Sequence, residues 1–234
     1  MIKDDYSGPL DAVAWPTQLK ARVVSNDTDR RIHGYSVRGD LAKHYSFLET
    51  VLLGLTGELP SAEQARAFEV ALTFLAPTTV AEAPTHAALL ARVCVATTSA
   101  LSGAAVIGLA EQSRFDLSRY ASWISWLNDE SPGIPGDFAA ATAHDHAALT
   151  SLRNALMARG GVIPQALALD IDETAALIAV LVACGLRTLE QIELVRTFAR
   201  FPFAMAEALA SPAAGHKDYP LMVPTIRYEE EVPS

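Results

Sequence analysis

Acid–base and electrophilic chemistry near neutral pH depends on titratable side chains that a fold can bring together, and histidine is the most adaptable of them. The sequence contains six histidines, and two of them, His144 and His146, share the short stretch AHDHAAL. No histidine stands between Ala87 and Ala143. The HDH stretch has no cysteine or further histidine at metal-ligand spacing, so it reads as exposed residues at a helix start and no metal is expected. Cys94 and Cys184 sit in Ala/Val/Leu-rich segments and read as small buried hydrophobes rather than a disulfide or metal pair. No glycine-rich phosphate loop and no Ser or Cys nucleophile motif is present. Arg200 stands in an apolar stretch just before Phe201-Pro202-Phe203. If buried there, it requires an anion. A ligand carboxylate, suited to the planar guanidinium fork, and an acidic residue such as Glu207 or Asp172 both meet that need.

These residues must be positioned by helices. Ala and Leu dominate a composition that is 50% hydrophobic, which favours an all-α fold. Ser46 with Glu49, Ser61 with Gln64, and Thr188 with Gln191 have the spacing of capping boxes, each ahead of an apolar periodic run. Gly57 supplies a left-handed helix stop and Pro60 bars continuation, so a helix–turn–helix corner is expected there. Phe47, Leu48, Val51, Leu52 and Leu55 make the apolar face of the first helix; Ala65, Phe68, Leu72 and Leu75 make that of the second. From Thr85, read as a cap, to Gln112 the chain is apolar or small on nearly every side, which predicts one long helix buried all round at the centre of a dimer. Asp116 and Asp172 are expected to cap two later helices, glycines to end the one that begins at Asp145, and Pro202 to kink the last. Residues 15–37 read as an irregular or short β-hairpin entry around the polar turn SNDTD. Beyond Pro212 the tail reads as extended. The expected domains are an entry segment, 1–37; a large helical domain, 38–130 with 186–234; and a small lobe, 131–185, which opens in the loop Asn128–Ala143.

A net charge of −9 without a basic block argues against a nucleic-acid partner. No apolar run reaches membrane-span length and the N-terminal stretch lacks the apolar core of a signal peptide, so a cytoplasmic protein without a membrane partner is expected.

The stretch RRIHGYSVRGDLAKHYSFLETVLLGLTGELPSAEQARAF, Arg30 to Phe68, resembles the N-terminal signature of the citrate synthase superfamily: a Gly-Tyr, a DLA, a Ser-Phe that opens a helix, and GELPS. With Trp15-Pro16-Thr17 before it and PTHAALLARVCVATTSAL after it, the chain looks most like the short branch that includes citryl-CoA lyase-like proteins. Weaker matches follow in order. GIPGDF stands where the family has its Pro-Gly-Phe-Gly-His loop, IDETAALIAVLVACGL where it has Val-Asp and a helix, and FARFPFAMAEAL where it has its Ala-Arg helix. The resemblance implies an all-α dimer with a large and a small domain, and a cleft that takes a carboxylate substrate and a CoA thioester.

The family's reaction implies an Asp that removes a methyl proton, a His in a His-Gly-Gly loop that stabilises the enol, and a second His that polarises the attacked carbonyl. Here AAVIGLA continues into EQSRFDLSRY, and Pro135-Gly136 is followed by Asp137, Phe138, Ala139 and Ala140. Neither His is present. The family spacing from Gly185 places Thr174 at the Asp, with Asp172 two residues earlier as the weak catalytic candidate. Arg200 falls on the arginine that holds a substrate carboxylate, and Arg227 on a second, tail-borne one that neighbouring glutamates could equally occupy. The expectation is a citrate synthase/citryl-CoA lyase-like protein without the catalytic histidines. It would be non-catalytic or regulatory, and would retain a carboxylate/CoA-type cleft with Arg200 and Arg227 as ligand-binding residues. No cofactor is required, and CoA or an acyl-CoA is the candidate ligand. The partner would be a second copy or an active paralogue. The alternative is a divergent acyltransferase or lyase acting on a CoA thioester and a carboxylic acid.

Overall fold

The computed structural model describes residues 18–25, 27–131, 133–135, 142–213 and 225–227. The Trp-Pro-Thr stretch and Asp137 to Ala140 lie outside the described residues. Two compact units divide the chain, Met1–Glu58 and Leu59–Ser234.

In the first unit, β1 (Arg31–Ile32) pairs antiparallel with β2 (Tyr35–Ser36), and Val24 bridges to Ile32. The hairpin turn is His33-Gly34, with φ of 45° and 89°, the left-handed geometry that a tight hairpin demands. SNDTD thus lies before β1 and is not the turn between β1 and β2; Asn26 within it lies outside the described residues. Ser36 accepts the Gly39 N–H at 2.8 Å and opens a π-turn, Val37–Leu41, which leads to α1 (Ala42–His44). The Ser46/Glu49 capping box opens α2 (Phe47–Thr56), and Gly57, at φ 82°, closes it with its N–H on the Leu53 carbonyl. The buried face of α2 centres on Leu52 and Leu53; Phe47 is exposed.

The second unit is helical: α3 (Ala62–Leu75), α4 (Ala83–Val93), α5 (Thr98–Leu117), α6 (Ala121–Leu127), α7 (Ala143–Arg159), α8 (Glu173–Ala183) and α9 (Leu189–Ala210), with 3₁₀ turns at Ser118–Tyr120 and Gln165–Ala168. Both capping boxes expected here, at Ser61 and Thr188, are formed. Gly160, at φ 63°, ends α7, and α9 runs on through Pro202. Helices α4, α5 and α9 pack on one another around Ala88, Leu101, Leu109, Ala204 and Met205; α7 and α8 pack on α3, and α6 on α8. Trp123 on α6 is fully buried and donates its indole N–H to the Ala175 carbonyl at 2.9 Å.

The expected long helix from Thr85 to Gln112 is two helices. Val93, Val95, Thr97 and Thr98 crowd β-branched side chains into one turn, Val95 takes a left-handed φ of 60°, and Thr97 caps α5 by accepting the Ala100 N–H. Thr85 is no cap: it lies inside α4, its hydroxyl 2.7 Å from that of Thr78. Gly108 lets the two helices close, since a Cβ there would stand 3.1 Å from Pro84 Cβ. Nor is α5 buried all round, for Val106, Ile107 and Phe115 are exposed. The helix that is buried on every side is α8, where each residue from Ala175 to Leu181 is inside. Asp116 lies within α5 rather than capping α6, which follows the 3₁₀ turn instead.

Cys94 sits at the break and is exposed, contrary to its apolar sequence context, whereas Cys184 is buried and its thiol is pushed up to about 12 by that burial. Thiolate is the reactive form. Titration of the native protein with an aromatic disulfide at pH 8 is expected to modify one thiol per chain, and titration in denaturant two.

No helix among the described residues is long and apolar enough to cross a membrane.

Candidate functional site

Two clusters of polar groups in the second unit form around Asp172, at the start of α8, and Arg200, on α9. Arg200 projects from α9 into the α4–α5–α9 contact and is 4% exposed. Its Nη1 donates to Gln112 Oε1 on α5 at 3.1 Å, and its Nη2 pairs with Glu82 Oε2 at the start of α4. Gln112 Nε2 donates to the same carboxylate oxygen at 3.2 Å, and the Thr79 N–H to the other at 3.0 Å. Burial pushes the Glu82 carboxyl up, but the bonds from Arg200 and Thr79 and the charge of Arg200 outweigh it and hold the group below the usual carboxylate range. The anion that Arg200 requires is thus supplied from within the chain, by Glu82 and not by Glu207 or Asp172.

Asp172 is the N-cap of α8, with Oδ1 accepting the Ala175 N–H at 2.7 Å. The buried Tyr120 hydroxyl donates to Oδ2 at 2.9 Å, and Arg119 donates to Tyr120 and stands 3.6 Å from Asp172. Burial, joined by the nearby Asp172 charge, pushes the Tyr120 hydroxyl up, which keeps it a neutral donor. Capping and Tyr120 occupy both oxygens of Asp172. Thr174, two residues on, has no carboxylate to offer.

One turn before Arg200, Arg196 donates from Nη2 to Asp116 Oδ2 at 2.7 Å. Its Nη1 is buried and has no hydrogen-bond partner among the described residues. Arg196 and Thr174 line a cavity whose other walls include Leu117, Leu177, Ile178 and Leu181. Sequence reasoning missed this site. Its signal was a second arginine four residues before Arg200 in LVRTFAR, on the same face of one helix.

His144 and His146 lie in the first turn of α7, with exposed side chains 3.8 Å from Glu173 and 3.4 Å from Asp170. No group of three His, Cys, Asp or Glu side chains among the described residues could hold a metal ion. Arg227 is exposed. The structure brings Arg200 and Arg196 onto one face of α9 and Asp172 to the start of α8.

No protein-family model matches the sequence and no curated protein does. Among solved structures, citryl-CoA lyase from Hydrogenobacter thermophilus superposes with a TM-score of 0.62 at 17% identity, over 92% of this chain and 97% of that one. This likeness shows the fold: the chain has the all-α, citrate synthase-like architecture that the Arg30–Phe68 motif implies.

Proposed function

We propose that this protein is a non-catalytic, citrate synthase-like dimer that recognises a carboxylate or a carboxylate-bearing CoA thioester without transforming it. The observation that carries the reading is the internal saturation of the polar groups where the family's chemistry would stand. Glu82 and Gln112 occupy Arg200, capping and Tyr120 occupy Asp172, and a threonine stands at the position of the acid–base carboxylate. The sequence supplies no histidine from Ala87 to Ala143 to polarise a carbonyl or stabilise an enol. A fold that retains its frame but not its acid–base groups is suited to sensing a metabolite or to serving as a structural partner.

Thermal shift with citrate, oxaloacetate, CoA and acetyl-CoA tests the recognition. A ligand that binds only the folded chain stabilises it by about 2.7 kcal/mol at a hundred times its Kd. A saturable rise in Tm with at least one carboxylate is expected, and no shift with any of the four overturns the reading.

For the dimer, the outward face of α5 supports a second copy of this chain as partner. Ile107 is 68% exposed, and the charges beside it, Glu111 and Arg114, neutralise each other across 2.7 Å. A two-fold interface sets one patch against the same patch of the partner, and charges already paired within the patch, as Glu111 and Arg114 are, limit like-charge contacts across it. Sedimentation at micromolar protein is expected to show a dimer, and Ile107→Arg a monomer with an unchanged helical spectrum. A wild-type monomer that pairs only with a paralogue contradicts the assignment.

A further inference from the structure

We infer that Arg196, and not Arg200, is the arginine of α9 that receives a ligand carboxylate. The inference rests on the reading that the chain binds one. Both terminal nitrogens of Arg200 are engaged by Gln112 and Glu82. Arg196 has one engaged, on Asp116, and one that is buried and lacks an acceptor among the described residues. A buried guanidinium nitrogen without a partner is uncommon in folded proteins, and guanidinium can only donate, so what it lacks is an acceptor.

The cavity that Arg196 lines selects the acceptor. Leu117, Leu177, Ile178 and Leu181 form apolar walls, and the polar lining side chains are Thr174 and Arg196. The centre of a water-sized sphere can range over about 30 Å³ there. One water needs about 10–15 Å³ on that measure, so the space suits a group of two or three heavy atoms. A carboxylate head fits; a nucleotide does not. Water is the poorer occupant because it brings two hydrogens of its own, and among the lining side chains only the Thr174 hydroxyl can accept one. A carboxylate accepts only, and so can take a hydrogen from Arg196 without bringing any of its own; the single Thr174 hydrogen is turned toward Tyr120. Asp116 already pairs with Arg196, but its side chain is 36% exposed, so solvent screens it from a second carboxylate on the far nitrogen. A larger acid would insert one arm and leave the rest outside.

The test uses the full chain with sodium acetate and citrate as probes and sodium chloride at matched ionic strength as control, read by methyl NMR and thermal shift. Acetate and citrate, but not chloride, are expected to move the methyl signals of Leu177, Ile178 and Leu181. Arg196→Met is expected to weaken binding by about tenfold or more. Arg196→Lys, which keeps a cation beside Asp116 but withdraws the fork, is a second variant should the first unfold, and is expected to weaken binding as well. The paired replacement Glu82→Leu with Arg200→Met, which removes the neighbouring ion pair whole, is expected to keep affinity within about threefold. If that double variant loses binding while both Arg196 variants keep it, the inference fails and carboxylate recognition stands. If chloride acts as acetate does, the site takes an adventitious ion only and the inference fails. If no carboxylate affects the wild type, both the inference and the reading beneath it fall.

Discussion

Glu82→Ala is expected to lower the free energy of unfolding by about 2–3 kcal/mol, less than the ~3–5 kcal/mol for one partner of a fully buried ion pair, because the Glu82 side chain is 28% exposed and solvent screens it. The magnitude follows from what remains. Arg200, with a side chain only 5% exposed, would keep its charge with Gln112 as the remaining side-chain acceptor among the described residues, and α4, α5 and α9 would lose the carboxylate on which Thr79, Gln112 and Arg200 converge. Chemical denaturation measures it. Replacing the whole pair, Glu82→Leu with Arg200→Met, should recover most of the loss, because a well-packed apolar pair of similar volume avoids burying two charges. The pH dependence has a definite sign. Glu82 is held below its ordinary value of 4.5 in the folded state, so its contribution is fully present above that value and is lost as pH falls through the lower folded value. The double variant should lack that part of the acid limb. A loss below about 1 kcal/mol for Glu82→Ala would mean that Arg200 does not depend on Glu82.

Much of the fold was legible because its signals are local. The Ser46, Ser61 and Thr188 capping boxes and the Asp172 cap depend on residues three apart, and the left-handed stop at Gly57 depends on one residue. The division between α4 and α5 was not legible in the same way. The run from Thr85 to Gln112 is apolar or small under either reading; the β-branched residues and the Thr97 cap at the break are local but ambiguous signals inside such a run, and the left-handed Val95 and the return of α5 across Pro84 are settled by packing. Cys94 was misplaced for the same reason, since an apolar neighbourhood in sequence does not bury a residue at a helix break.

The site divides along the same line. That Arg200 would need an anion follows from its apolar neighbours alone. That the anion is Glu82 could not be read, because the partner lies 118 residues away on another helix. Asp172 was legible as a cap, and its bond from Tyr120 was not. The second arginine of LVRTFAR marks the position of Arg196, but that one of its nitrogens lacks a partner among the described residues could not be read, since an arginine on a half-buried helix face ordinarily finds its partners in solvent.

The most direct test of the central claim, a citrate synthase-like fold without the chemistry, is steady-state turnover by purified protein that is folded and responds to carboxylate in thermal shift. Two reactions should be followed: cleavage of citryl-CoA, and condensation of acetyl-CoA with oxaloacetate. Each missing histidine removes an acid–base or electrophilic contribution of about 10²–10⁴-fold. On this account His144 and His146, which lie exposed in the first turn of α7 beside Glu173 and Asp170, do not replace them. The account predicts turnover below about 10⁻³ per second for both reactions, against the 1–10³ per second common among enzymes. Turnover of about 1 per second or more, proportional to protein and abolished by Asp172→Asn, would contradict it.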